Sequence, residues 1–287
     1  MDHGQDIHTA AAVAADPLLA EAAALYAHPA FPLAVRDYAA GLVQFRRNSR
    51  LINKLGAHEV RLRAIGYLLH LSALSRSDGG DGGVSYGQLL ELCVERRGEV
   101  SPRVLKTMLA LMDFAGFLES WRRAADRRVT VYRPTPRMLA YARQWFHYAA
   151  VALDRMAPAL RREQRLASDA DFLNRLLVDA GRDHAEGPPA ERMPEFIGYF
   201  GGREGAGAVV ARLTLAAIDG EPVVSRAALA REFGLSKTQV SQVIAEGVQI
   251  GYLTLDSASL PVLTPKLDEA HRRWISIELA FYARHMR

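Results

Sequence analysis

The sequence predicts a mainly α-helical protein in which one structural unit, made of helices and a small β-hairpin, occurs twice. Three observations predict it. Apolar residues recur at helical spacing along most of the 287-residue chain. Short alternating segments follow two of the helical patterns, as is typical of β-hairpins. Segments of the second half repeat the residue pattern of the first half, which is the sign of an internal repeat.

Composition excludes several classes of protein. The chain is 49% hydrophobic and 24% charged, which is typical of a folded globular protein and not of a disordered one. No apolar run approaches the roughly 18 residues of a membrane span. A secretory signal would require arginine or lysine near its start, and neither precedes Arg36. We therefore expect a cytoplasmic protein with no membrane partner. The only cysteine, Cys93, is expected to be a buried thiol without a disulfide, zinc or redox role.

The N-terminal third predicts a tail followed by helices. Residues 1 to 15 are expected to be a tail, and Asp16-Pro17 is typical of a helix start, with an N-cap followed by proline at the first helical position. That helix would cover "LLAEAAALYAH". A long helix is expected from about 33 to 55, and the glycine-rich residues 75 to 83 predict a loop.

The rest of the chain predicts further helices and two connections. Helices are expected from about 137 to 165 and from about 266 to 287. Residues 179 to 194 combine glycine, paired prolines and polar side chains, so they suggest a linker. "GYFGGREGAGA" at 198 to 208 has no preceding strand of the kind that a phosphate-binding loop needs, and it is interpreted as a flexible junction between helices.

The internal repeat comprises three pairs of matching segments. They are "VSYGQLLELC" (84 to 93) with "VSRAALAREF" (224 to 233), "SPRVLKTMLALMDFAGFL" (101 to 118) with "SKTQVSQVIAEGVQIGYL" (236 to 253), and "TPRMLAYARQWF" (135 to 146) with "TPKLDEAHRRWI" (264 to 275). The differences in length between the copies fall between these segments, where a duplicated fold tolerates insertions.

The spacing of Ala230, Gly234 and Val240 is that of a helix-turn-helix. Alanine allows two helices to cross closely, glycine accepts the positive φ of a tight turn, and valine anchors the second helix in the core. Ser101 and Ser236 are placed to cap the second helix of each copy. Trp145 and Trp274 occupy matching positions in the two copies and are expected to be packing anchors.

Each second helix is followed by Gly-aromatic-Leu, which predicts a helix stop and the start of a strand. In the first copy "LESWRRAADRRVTVYRPT" predicts a hairpin that turns near Ala125-Asp126. A helix-turn-helix, a two-stranded hairpin and a long helix together resemble the winged-helix family, most closely the MarR-like transcriptional regulators. The resemblance covers roughly residues 60 to 224, with gaps, and 204 to 287.

The resemblance implies a tandem winged helix-turn-helix architecture braced by long helices. Family members generally carry one unit and dimerise, so this chain is similar to a single-chain pseudo-dimer. The expected organisation is an N-terminal tail and short helix (1–30), a first winged-helix unit (31–165), a connecting helix and linker (166–203) and a second unit (204–287). The resemblance also implies that each second helix enters the major groove of DNA and that the hairpin, or wing, touches the DNA backbone or minor groove.

Helical periodicity divides each recognition helix into a buried face and an outward face. Leu105, Met108, Leu109 and Met112 are expected inside the first copy, and Val240, Val243, Ile244 and Gly247 inside the second. Arginine and lysine on the outward face suit guanine edges or phosphates, and glutamine suits adenine. The residues expected to contact DNA are Ser101, Arg103, Lys106, Thr107, Arg122, Arg123, Arg127, Arg128, Ser236, Lys237, Thr238, Ser241 and Gln242.

Charge is distributed unevenly between the copies. Residues 96 to 137 hold ten basic against four acidic side chains, whereas the whole chain has a net charge of +4. Such a local excess is the electrostatic footprint of a nucleic-acid binder. The second hairpin, "TLDSASLPVLTP", has no arginine or lysine. The outward positions also differ between the copies, so we expect an asymmetric DNA site and a larger contribution of the first hairpin to affinity.

The expected function is a transcriptional regulator that binds promoter or operator double-stranded DNA and associates with the nucleoid. Two alternatives remain: a tandem winged-helix structural or protein-interaction module, such as an accessory subunit of chromosome-organising complexes, and a plasmid replication initiator. No catalytic motif or metal-ligand spacing occurs, and lone histidines such as His58, His70 and His271 are expected to be satisfied or at the surface, so we expect no enzyme activity, cofactor or metal. The sequence leaves open whether a small-molecule effector binds, whether transcription is repressed or activated, and whether the chain associates further.

Overall fold

A computed structural model of the chain describes residues 16–47, 59–169 and 171–287. This part is mainly α-helical with two small antiparallel sheets, as expected. Its α-helices are α1 (Pro17–Tyr26), α2 (Phe31–Arg46), α3 (Glu59–Ser77), α4 (Tyr86–Leu90), α5 (Pro102–Phe114), α6 (Pro136–Met156), α7 (Arg162–Ser168), α8 (Phe172–Glu186), α9 (Pro194–Phe200), α10 (Ala206–Asp219), α11 (Arg226–Phe233), α12 (Lys237–Gln249) and α13 (Pro265–His285). A π-helical segment, Glu91–Arg96, continues α4, and 3₁₀ turns at Pro158–Leu160 and Pro189–Arg192 precede α7 and α9.

The strands form one sheet of three strands and one of two. They are β1 (Val84–Ser85), β2 (Leu118–Arg123), β3 (Asp126–Pro134), β4 (Leu253–Leu255) and β5 (Pro261–Leu263). The first sheet has the order β1-β3-β2, with both pairs antiparallel. The strand β1 is too short to show the alternation that identifies a strand, and sequence analysis did not predict it. The hairpin β2–β3 turns at residues 124–125, next to the predicted position.

Helices α2 and α13 join the parts of the molecule into one core. Helix α2 packs against both α6 and α10, α3 packs against α8, and α13 packs against α1, α6 and α8. The buried apolar residues of these helices form one continuous cluster. The sites described below are therefore held by a common helical framework.

The start of α1 is as predicted, because the Asp16 side chain accepts a 2.8 Å hydrogen bond from the backbone N–H of Leu18. Two predicted long helices are shorter than expected. Helix α2 ends at Arg46, since Arg47 is extended (φ −65°, ψ 134°), and the remainder of the predicted 33 to 55 helix lies mostly outside the described residues. Helix α6 ends at Met156 because Pro158 disfavours helical backbone at the residue before it.

The predicted linker at 179 to 194 is wrong for most of its length. Helix α8 continues to Glu186, because Leu176, Leu177 and Ala180 give it an apolar face that is buried. The Gly187-Pro188 pair ends this helix, and the following 3₁₀ turn is itself packed, with Ala190 only 4% exposed. Glycine and proline here mark a helix end within a packed connection.

The loop predicted at 75 to 83 begins later, because α3 runs to Ser77. Within the described residues, no single helix has both the length and the apolar composition that crossing a membrane requires. The pair α1 and α2 meets those requirements only together, across a bend of 104°.

Candidate nucleic-acid interface

The helix pairs α4–α5 and α11–α12 are positioned by caps that the sequence predicted. Ser101 Oγ accepts a 3.3 Å hydrogen bond from the backbone N–H of Val104, and Ser236 Oγ accepts one of 3.1 Å from Gln239. Gln239 completes a capping box by accepting from the backbone N–H of Ser236 at 2.8 Å. Gly234 ends α11 with φ 64°, the left-handed conformation expected for the turn.

The helices α5 and α12 end in the same way. Gly116 has φ 72° and Gly251 has φ 76°, as in left-handed helix caps. The aromatic residue after each glycine donates its backbone N–H back into the helix: Phe117 to the carbonyl of Met112 and Tyr252 to that of Gly247, both at 2.8 Å. The backbone then continues into β2 after α5 and into β4 after α12.

The threonine that follows each hairpin makes the same hydrogen bonds in both copies. Thr135 Oγ1 donates to the carbonyl oxygens of Gly116 (2.9 Å) and Phe117 (3.1 Å), and Thr264 Oγ1 donates to those of Gly251 (2.9 Å) and Tyr252 (3.0 Å). These bonds fix the start of α6 and α13 against the end of the preceding helix.

A cationic side chain completes each of these junctions. Arg137 donates to the carbonyl oxygen of Ala115 at 2.7 Å and its guanidinium lies 4.6 Å from the centre of the Phe117 ring. Lys266 donates to the carbonyl of Ile250 at 2.9 Å and lies 5.0 Å from the Tyr252 ring. Arg137 belongs to the basic stretch of residues 96 to 137, but its guanidinium caps α5.

Helix α5 has the buried and exposed faces that periodicity predicted. Leu105, Met108, Leu109 and Met112 are buried, while Arg103, Lys106 and Thr107 are exposed. The ammonium of Lys106 lies 5.5 Å from the centre of the Tyr86 ring, which holds it at the α4–α5 junction. Thr107 Oγ1 donates to the carbonyl of Arg103 at 2.9 Å, so the Thr107 hydroxyl proton is already engaged.

Helix α12 also matches its predicted pattern. Val240, Val243, Ile244 and Gly247 are buried. The predicted contact residues are exposed, namely Ser236, Lys237, Thr238, Ser241 and Gln242. Among its fully exposed residues only Lys237 is charged, and the others carry hydroxyl, amide and apolar groups, while the partly exposed Glu246 pairs with Arg203. The two exposed helix faces therefore differ in chemistry.

The tip of the hairpin β2–β3 carries four exposed arginines, Arg122, Arg123, Arg127 and Arg128. Arg122 donates from Nη1 to the carbonyl oxygen of Arg128 at 3.2 Å, which ties the two strands together. Within residues 16–47, 59–169 and 171–287, no carboxylate lies within 4.0 Å of any of the four guanidinium groups. Their positive charge is left for solvent or a ligand.

Other basic residues of the first copy have partners. Arg97 contacts the carboxylates of Glu99 at 3.4 Å and Glu191 at 2.5 Å. Arg133 forms a 2.7 Å ion pair with Glu119 and lies 5.2 Å from the Trp121 ring. The basic surface suggested by the sequence therefore reduces mainly to the outward side of α5 and the hairpin tip.

The second hairpin is held by a carboxylate. Asp256 Oδ1 accepts from the backbone N–H groups of Ala258 (2.9 Å) and Leu260 (2.8 Å). Its strands have three residues each, and the connection between them exposes an acidic residue where the first hairpin exposes arginines. The two hairpins thus present opposite charge.

The cysteine, the histidines and the tryptophans without an expected functional role lie mostly in the interior. Cys93 is buried, and burial raises the pKa of its thiol to about 12. His70 and His271 are buried, with Nδ1 3.1 Å from the Leu177 carbonyl and 2.8 Å from the Thr214 hydroxyl respectively. Nε2 of His271 is also buried but has no hydrogen-bond partner in the described part of the chain, so this histidine is only partly satisfied. Trp274 is packed in the core, and Trp145 hydrogen-bonds to Tyr282. His58 lies outside the described residues.

Comparisons with known proteins do not identify a family. No protein-family model matches this chain, and no curated protein or solved structure is significantly similar to it.

Proposed function

We propose that the chain is a transcriptional regulator that binds double-stranded DNA through two fused winged-helix units, as a single-chain pseudo-dimer associated with the nucleoid. In this proposal α3, α4, α5 and the sheet β1-β3-β2 form the first unit, and α10, α11, α12 and the sheet β4-β5 form the second. The matching caps, glycine turns and Thr-carbonyl bonds of the two segments support the proposed duplication.

The observation that carries the proposal is the unneutralised charge at the tip of β2–β3, next in sequence to a helix with a basic outward face. Guanidinium groups without carboxylate partners are available to phosphates, and neutralising phosphates releases counterions and so gives salt-dependent affinity. Arg103 and Lys106 have the donors that pair with guanine in the major groove. The Thr107 hydroxyl oxygen would accept a hydrogen bond from a base, because its proton is already donated to the Arg103 carbonyl oxygen.

The two units are proposed to read different half-sites. Corresponding outward positions hold Arg103 and Thr238, and Lys106 and Ser241, so the donors facing a groove differ. In α12, Gln242 suits adenine and Lys237 suits a phosphate. A DNA site read by these two helices is therefore asymmetric.

Selection of binding sites from a random DNA pool, followed by titration at several salt concentrations, tests this function. We expect enrichment of an asymmetric sequence and an affinity that falls steeply with salt. A perfect palindrome would contradict the proposed difference between the half-sites. Failure to bind any DNA at low salt would contradict the function itself.

A protein-interaction role is the second candidate, and it is favoured by the surface around α12. Val248, Ile250 and Leu255 are exposed there, at 40%, 37% and 44%, and the hairpin that follows lacks basic residues. Salt-insensitive capture of a protein partner, without DNA binding, would support this role over the first.

A further inference from the structure

A cavity of about 260 Å³ lies between α2, α3, α6, α8 and α13. Its wall is mostly apolar and rich in aromatic rings. Phe45 and Trp145 meet edge to face with ring centres 5.3 Å apart, and Phe146 and Tyr282 do so at 5.5 Å. Because an apolar cavity of roughly 150 Å³ already holds benzene, this space accommodates a larger organic group.

Two glutamates on different helices line this apolar cavity. Glu278 lies on α13 within the apolar stretch "WISIELAFYA", and Glu59 begins α3. Both are half-buried, and both line the cavity. Trp145 Nε1 donates to the Tyr282 hydroxyl at 2.9 Å, and that hydroxyl donates to Glu278 Oε1 at 3.4 Å. This chain of donors orients the Glu278 carboxyl group.

The two glutamates of the cavity differ in their basic neighbours. Arg63 forms an ion pair with Glu99, and Arg97 forms ion pairs with both Glu99 and Glu191. Burial raises the pKa of Glu59, while the nearby guanidinium groups of Arg63 and Arg46 favour its charged form. Among the described residues, the charged groups that line the cavity are the guanidinium groups of Arg46 and Arg63 and the carboxyl groups of Glu59 and Glu278. Glu278 is the one of these two carboxyl groups on which no basic residue acts in that part of the chain.

Glu278 differs from the other carboxyl groups in its neighbours. The polar groups that act on it are Tyr38 on α2, Glu59 on α3 and Tyr282 on α13, and no basic residue is among them in the described part of the chain. The cavity also contains Arg46 on α2 and His184 on α8, and burial lowers the pKa of His184 to about 3, which keeps it neutral. Burial, and then repulsion by Glu59, raise the pKa of Glu278 to about 8.

We propose that this cavity binds a hydrophobic organic cation, whose charged nitrogen lies at Glu278 and whose apolar body lies against the rings of Trp145, Tyr282 and their neighbours. A cation supplies the oppositely charged partner that Glu278 lacks in the described part of the chain, and ring faces attract cations as well as apolar groups. An anion supplies no such partner. Binding the cation ionises Glu278 and so releases its proton, because only the carboxylate pairs with the ligand.

Calorimetric titration of the full chain with benzyltrimethylammonium, and with phenylacetate as an anionic comparison, tests the proposal. We expect saturable binding of the cation alone, with an affinity that increases as the pH rises from 6 towards 8. Glu278→Gln keeps the shape and removes the charge, and it should weaken cation binding about tenfold or more. Glu186→Gln, a change of an exposed residue at the end of α8, is the control and should have no effect.

A second variant tests the position of the site independently of its charge. A side chain added at Gly66, which lines the cavity, meets no atom within 4 Å at its Cβ. Gly66→Leu should therefore fill part of the cavity and abolish binding while the protein remains folded by circular dichroism. The proposal would be overturned by equal cation binding in the wild type and both variants, or by stronger binding of phenylacetate. It would also be overturned if no saturable cation binding occurred up to about 1 mM.

Discussion

Trp145 donates a 2.9 Å hydrogen bond from Nε1 to the hydroxyl oxygen of Tyr282. The bond joins α6, which follows the first hairpin, to α13, which follows the second, in a region where both side chains are partly buried. Phe146 also packs edge to face on Tyr282. One tyrosine thus connects the helices that brace the two halves of the chain.

Tyr282→Phe should lower the free energy of unfolding by about 1–3 kcal/mol, because it leaves the indole N–H of Trp145 without its acceptor in the protein interior. Tyr26→Phe is the matched control. Tyr26 also hydrogen-bonds, to Glu269 at 2.5 Å, but at the surface, so its loss should cost less. Urea unfolding of both variants gives the comparison, and equal losses would show that the Trp145–Tyr282 bond contributes nothing beyond a surface contact.

Two glycines in helices should respond in opposite ways to alanine. At Gly66 in α3 a Cβ meets open space, so Gly66→Ala should raise the free energy of unfolding by about 0.5–1 kcal/mol through helix propensity. At Gly41 in α2 a Cβ would overlap the Tyr148 ring of α6, so Gly41→Ala should lower it by about 1–3 kcal/mol. Thermal unfolding separates the two, and stabilisation by Gly41→Ala would contradict the close α2–α6 packing.

Much of the local structure could be predicted because it depends on neighbouring residues. The caps by Ser101 and Ser236, the glycine turn at Gly234 and the buried faces of α5 and α12 follow from residue type and from the 3.6-residue period. The hairpin β2–β3 follows from alternation and turn residues. These features need no knowledge of what packs against them.

Features that depend on distant partners were missed or wrong. Residues 179 to 186 have the composition of a linker, but α3 supplies a surface on which their helix packs. Glu278 can be recognised in the sequence only as a glutamate within an apolar stretch, and its relation to Glu59 arises because α3 and α13 line the same cavity. Arg97 and Arg133 resemble ligand-binding arginines until their acidic partners are located.

The buried imidazole of His271 should make stability depend on pH. Burial lowers its pKa to about 3, whereas the unfolded chain binds this proton near pH 6.5. The contribution of neutral His271 to the free energy of unfolding is therefore complete above pH 6.5 and is lost as the pH falls towards 3. The difference in unfolding free energy between wild type and His271→Gln should shrink by up to about 1.4 kcal/mol per pH unit below 6. A difference that stays constant from pH 7 to 5 would contradict this assignment.

If the chain binds DNA as proposed, the two hairpins should contribute unequally to its affinity. Replacing Arg122, Arg123, Arg127 and Arg128 with alanine removes four guanidinium groups that lack carboxylate partners in the described part of the chain. We expect a large loss of affinity at fixed salt and a shallower salt dependence, by roughly 0.9 in the logarithmic slope for each phosphate that the variant no longer neutralises.

The matched changes in the second hairpin are Thr254→Ala and Ser257→Ala, at exposed positions without charge. They should alter affinity little and leave the salt slope unchanged, because they remove no cation. Fluorescence anisotropy with one DNA duplex at several salt concentrations measures both quantities. If the second set costs as much affinity as the first, the arginine tip is not the main backbone contact. A normal affinity with an unchanged slope in the arginine variant would instead show that these four side chains do not meet phosphates at all.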